Sequence, residues 1–188
     1  MNLKVTTAIS IDELSQISRL NFANLRENLS PEEKVSEGFV SWPYPTELLE
    51  KMNQLSPSII VKDDNKVVGY ALTLPAEAAP FHSDLRAFME HINNLEYQNR
   101  KLSTYRFYFM GQICIDKAYR GKKIVDLLYQ GHKNHYINQF DLLVTEVSTS
   151  NVRSLKAHEK IGFKTIHTYH DAIDEWDVIV WDWRSENI

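Results

Sequence analysis

The chain of 188 residues holds one cysteine, Cys114. A single cysteine excludes an intrachain disulfide and fits a reducing compartment. No apolar run approaches the ~20 residues needed to cross a bilayer, and the opening MNLKVTTAIS lacks the apolar core of a secretory leader. The expected setting is the cytoplasm, with no membrane attachment. Basic charge is not in excess either. The formal net charge is −4, which argues against a general binder of nucleic acid or anionic membrane. His132 and His135, like His167 and His170, have no cysteine or carboxylate set at ligand spacing nearby, so no metal site is expected. No serine elbow or phosphate-binding glycine loop occurs. Repeats, low-complexity tracts and flexible linkers are missing too. One domain over residues 1–188 is expected, large enough to bury a real core.

What the chain does have is alternating strands and helices. Residues 4–9 read as a strand, followed by a capping box at Ser10 and Glu13 and an apolar helix face of Ile11, Leu14, Ile17, Leu25 and Leu29. Ser30-Pro31 starts a second helix. The stiff loop Ser41-Trp42-Pro43-Tyr44-Pro45 either walls a pocket or plugs onto the core. Residues 58–62 and 67–74 form a hairpin around Asp63-Asp64-Asn65. A helix is expected over 83–96 and a long strand over 105–115, where Gly111 marks a bulge or a close backbone approach. Another helix should run from near Gly121 to 138. The apolar run Leu142-Leu143-Val144 suits a buried parallel strand over 141–147. Asn151 caps a short helix that Gly162 ends, and 164–170 with 176–183 make a final hairpin. This order predicts an α/β fold, a mixed sheet with helices on both faces.

The stretch 110–128, MGQICIDKAYRGKKIVDLL, breaks one rule. Arg120, Lys122 and Lys123, with Lys117 upstream, crowd an expected helix start, where each cation costs about 0.3–1 kcal/mol against the helix dipole. Other helix starts carry acids: Asp12 and Glu13, Glu32 and Glu33, and Glu47. The basic turn is either a solvated surface or the seat of an anion such as phosphate.

Two segments carry a family resemblance. Arg120-Gly121-Lys122-Lys123-Ile124-Val125 resembles the Q/R-x-x-G-x-G/A motif of the GNAT superfamily of acyl-CoA N-acyltransferases. Asn151 to Phe163, NVRSLKAHEKIGF, resembles that family's N-x-x-A-x-x-x-Y-E-K-x-G-F helix. The resemblance implies a GNAT-type mixed, mostly antiparallel twisted sheet with helices on both faces, and residues 78–104 as an insertion. It also implies acetyl-CoA as co-substrate and N-acetylation of a primary amine on a small molecule or peptide. The competing possibility is a non-catalytic acyl-CoA-binding module of the same fold.

By the same resemblance, the backbone of Cys114 and Ile115 pairs with the pantetheine arm. The N–H groups of Arg120, Gly121, Lys122, Lys123, Ile124 and Val125 hold the pyrophosphate, and Asn151 hydrogen-bonds the cofactor. Lys123 and Val125 stand where small residues are usual. His158 stands where a tyrosine is usual, and is either the acid that protonates the leaving thiolate or a packing residue. Glu146, by position near its strand end, is the candidate base. Cys114 reads as a packed thiol rather than a nucleophile. Asp171, Asp174 and Glu175 point to a cationic acceptor, or form a solvated turn. The Trp-rich last strand offers pairing across a homodimer.

Overall fold

Every residue of the strand over Lys66–Leu74 after its first is buried, so the chain has to cover both faces of its sheet. The computed structural model describes residues 1–81 and 83–184, with 35–37 and 83–84 as backbone only. In chain order the strands are β1 (Leu3–Thr7), β2 (Ile59–Asp63), β3 (Lys66–Leu74), β4 (Glu96–Tyr97), β5 (Arg100–Lys101), β6 (Phe107–Ile115), β7 (Leu142–Ser148), β8 (Lys164–His170) and β9 (Glu175–Asp182). The helices are α1 (Ile11–Ala23), α2 (Pro31–Glu37), α3 (Thr46–Leu55), α4 (Ser83–Asn94), α5 (Ile124–Tyr136) and α6 (Val152–Ile161). Seven strands form one sheet in the order β1-β2-β3-β6-β7-β9-β8. All neighbours are antiparallel except β6 and β7. The ribbon β4-β5 stands apart.

Period-two alternation divides the core between the two faces. Ile60, Tyr70, Leu72 and Leu74 face a cluster with Leu14 and Ile17 of α1, Leu49 and Met52 of α3, and Leu85 and Met89 of α4. Ile59, Val61, Val68 and Ala71 face the opposite cluster, with Ile124, Leu128 and Tyr129 of α5 and with Phe163 and Trp181. Both expected helix starts close as capping boxes, Ser10 with Glu13 and Ser30 with Glu33. No helix among the described residues is long and apolar enough to cross a membrane.

Two expectations need correction. The helix after the basic turn begins at Ile124, not near Gly121. Gly121 at φ +76 and Lys123 at φ +59 are left-handed, so no right-handed helix can include them, and a short turn over Lys117–Tyr119 takes the earlier residues. The last strand is not an edge. β9 is hydrogen-bonded to β7 on one side and β8 on the other, and Trp176, Trp181 and Trp183 are buried. It has no free edge for pairing across a homodimer.

Candidate active site

The site is built where β6 and β7 part. Their ladder holds only through Phe107–Leu142, Tyr108–Leu143 and Phe109–Val144. Beyond it, Thr145 donates its hydroxyl to the Met110 carbonyl at 2.8 Å, so a side chain replaces the next backbone link. β6 continues to Ile115 on β3 alone, and β7 continues to Ser148 on β9 alone. The facing edges of the split therefore present backbone groups that a ligand with amides can pair as a strand would. A bulge in β6 helps open it: Ala71 faces Ile113, while Thr73 faces Met110. Gly111 lies in that bulge, and a Cβ there would come within 2.9 Å of Tyr44 Oη. Both readings of Gly111, bulge and close approach, hold.

One cavity of about 160 Å³ lies between this split and α6, among Cys114, Ile115, Arg120, Gly121, Val125 and Asn151. At its basic end the first turn of α5 has N–H groups with no intrahelical acceptor. A Cβ built on Gly121 would meet nothing within 4 Å, so the space in front of the turn is open. The cations themselves are mostly engaged. Lys117 pairs with Glu33, and Lys122 lies over the Tyr119 ring at 4.7 Å. The Arg120 guanidinium donates to Asn24 Oδ1 at 2.9 Å and to the Ile115 carbonyl at 3.3 Å. Lys123 caps the helix without a side-chain hydrogen bond to it. The side chains of Lys122, Lys123 and Ile124 are not part of the described lining, and Ile124 is core, facing Gly69.

Asn151 accepts from Ser154 N at 3.3 Å, as the helix cap, and donates to the Phe39 carbonyl at 3.2 Å. Its amide therefore holds the loop around Gly38 and Phe39 against α6. Cys114 is buried, and burial pushes its thiol up to about 12, which leaves a packed and inert thiol.

A larger cavity of about 470 Å³ shares Phe39, Ile113, Asn151, Ser154 and His158 with the first and extends toward α4. Glu146 of β7 lines it. Burial raises that carboxyl to about 7, with the Asp171 charge adding to the rise, while a 2.6 Å hydrogen bond from the Tyr169 phenol opposes it. The loop at 41–45 walls the cavity with Trp42 and Tyr44. A buried network pins that loop. The Trp42 carbonyl accepts from Asn21 at 2.9 Å and Gln112 at 3.2 Å, and Gln112 Oε1 accepts from Asn21 at 2.5 Å and Tyr70 at 2.7 Å. The acidic turn is less charged than its sequence suggests. Asp174 pairs with Arg26 at 2.7 Å, His170 Nε2 lies 2.8 Å from Glu175, and Asp171 accepts from two backbone N–H groups of its own turn.

His158 stands in the wall between the cavities, 3% exposed. Its Nδ1–H donates to the Ser154 carbonyl at 2.7 Å, and Nε2 is buried without a partner. Burial holds the ring down at about 4, so it is neutral near pH 7 with its single proton already committed. The expected thiolate acid finds no free proton here. A donor at Nε2 would need a second proton, which the buried site resists.

The structure thus brings Glu146, Asn151 and His158 to one cavity, and Asn151 and His158 with Cys114, Ile115, Arg120, Gly121 and Val125 to the adjoining one. Sequence reasoning missed Tyr169, Gln112 and Asn21. Gln112 left a signal as the lone amide in the strand FYFMGQICI. Tyr169 left none, because its partner lies on another strand.

Residues 22–163 match the sequence profile of the Acetyltransferase (GNAT) family. No curated protein matches the chain in sequence. Solved structures share its fold. The NatC complex bound to Gag peptide and CoA is similar at TM-score 0.65 and 13% identity, over 97% of this chain and 99% of that one. The ribosomal-protein-S18-alanine N-acetyltransferase from Escherichia coli is similar at TM-score 0.62 and 10% identity, over 96% and 94%. A Salmonella typhimurium putative acetyltransferase with acetyl-CoA is similar at TM-score 0.62 and 13% identity, over 96% and 93%. With most of its length inside the matched profile, the chain belongs to the GNAT acetyltransferase family.

Proposed function

We propose that the protein is an N-acetyltransferase that moves an acetyl group from acetyl-CoA to a primary amine of a small molecule or peptide. The observation that carries the reading is Glu146. It is a half-buried carboxylate with a raised pKa, in a cavity that adjoins the opened β6 edge. Family membership and the CoA-bound relatives support the choice of co-substrate. A cytoplasmic setting is proposed on the buried free thiol of Cys114.

The residues then act as follows. The open β6 edge at Cys114 and Ile115 receives the pantetheine amides, and the N–H groups from Gly121 to Val125 receive the diphosphate. Arg120 fixes the turn through Asn24 and Ile115. Asn151 keeps the Phe39 loop over the junction. Glu146 takes a proton from the bound ammonium, a transfer for which a pKa near 7 is matched. The freed amine attacks the thioester carbonyl, an N–C bond forms and the C–S bond breaks. The second N–H proton of the amine goes to the leaving thiolate. His158 stays neutral at the junction.

The missing proton donor at 158 favours a second reading, an acyl-CoA-binding module without turnover. A thiol-release screen with acetyl-CoA over polyamines, amino acids, aminoglycosides, arylalkylamines and peptides tests both. Release with any amine supports transfer. CoA binding by calorimetry with no release across the screen leaves the module.

A further inference from the structure

The larger cavity carries information about the acceptor, on the reading that this is the acetyl-transfer site. Its volume of about 470 Å³ lies in the range, about 300–1,000 Å³, that encloses a drug-sized molecule. Aromatic side chains come from every direction: Trp42 and Tyr44 from the 41–45 loop, Phe88 from α4, Phe109 from β6, and Tyr169 and Trp176 from the last two strands. Such walls favour flat apolar bodies.

The segment between β3 and β6 closes one side. Phe88 of α4 meets Phe109 edge-on with centroids 4.3 Å apart, and His91 of α4 lies 4.7 Å from the Tyr169 ring on β8. Helix α4 therefore bridges from β6 to β8. A polypeptide could not run through on that side without breaking both ring contacts.

Charge narrows the choice further. Among the described lining residues the carboxylates are Glu146 and Asp171, and no lysine or arginine is present. Asp174 is paired to Arg26, and neither it nor Glu175 is among the described lining residues. Asp171 already accepts the N–H groups of Ile173 and Asp174, which leaves Glu146 to meet one ammonium. Each additional buried ammonium would go uncompensated.

We infer that the acceptor is a monoamine joined by a short linker to a compact aromatic body, an arylalkylamine, seated against Phe88, Phe109 and Trp42. Polyamines and aminoglycosides bring too many charges, and extended peptides too much length.

The test uses the full chain with acetyl-CoA and four acceptors: phenethylamine, spermidine, an aminoglycoside and a peptide beginning with phenylalanine. The expected result is a kcat/KM for phenethylamine at least about 100-fold above the two polycations, and above the peptide. Phe88→Ala and Leu85→Ala should each raise the phenethylamine KM at least about tenfold, while calorimetry shows CoA affinity unchanged. A preference for spermidine or the aminoglycoside overturns the inference, as does a peptide better than the free amine. If no acceptor releases thiol, calorimetry on the CoA-loaded protein decides. Phenethylamine binding in preference to spermidine keeps the inference while removing acetyl transfer, and no such preference removes the inference.

Discussion

The Tyr169 phenol donates a 2.6 Å hydrogen bond to Glu146 Oε2 across an intervening strand. β9 lies between β7, which carries the acid, and β8, which carries the phenol. The pair therefore depends on the finished sheet. It holds one oxygen of a half-buried carboxylate while desolvation raises the group to about 7.

Glu146→Gln should lower kcat by roughly 10²–10⁴-fold, the usual worth of a general base. The wild-type rate should rise with pH through about 7 as the carboxylate forms. The variant should lose that limb. A pH–rate profile of both proteins checks this, and a variant with wild-type turnover removes Glu146 as base.

The same substitution should change stability in the opposite sense. A carboxyl raised from 4.5 to about 7 disfavours the folded state as pH rises through that window, because the unfolded chain ionises first. Glu146→Gln removes that cost and still accepts from Tyr169. At pH 8 the variant should be more stable by up to about 3 kcal/mol, and at pH 4 the two should match. Urea titrations at both values decide it.

Lys123→Glu should weaken CoA binding by about 1 kcal/mol or more, since an anion would then sit at the start of α5 where the diphosphate is proposed. Lys117→Ala is the contrast. It breaks an exposed pair with Glu33, so CoA affinity should hold and stability should barely change. Calorimetry giving equal CoA affinities for wild type and Lys123→Glu would dismiss the assigned site.

His158→Ala should reduce turnover by less than about tenfold and leave the pH profile in place from 6 to 9, because the ring titrates near 4. An imidazolium acid would instead give an alkaline fall near 6.5 and a loss of about 10²–10⁴-fold. Observing that fall would restore the acid role.

Gly111→Ala should raise the acceptor KM without changing CoA affinity. The new Cβ would lie 2.9 Å from Tyr44 Oη, and the 41–45 wall must shift to relieve it. Overpacking of this kind costs about 1–3 kcal/mol. An unchanged acceptor KM would show that this wall does not touch the acceptor.

The sequence by itself determined the local elements. Capping boxes at Ser10 and Ser30, the cap at Asn151 and the stop at Gly162 act within one turn of chain, so their residue types are decisive. Alternating burial set the two faces of the sheet, and Gly111 announced the bulge. Its motifs also placed the chain in its family. Tertiary structure alone decided which polar groups are spent and which are available. Whether Lys117 meets Glu33, Arg120 meets Asn24, or Asp174 meets Arg26 depends on residues far away in the chain. It put β9 inside the sheet rather than at its edge, and it buried His158 with its one proton on Ser154. Protonation follows solvation and partners, and these exist only once distant strands and helices have closed around a side chain.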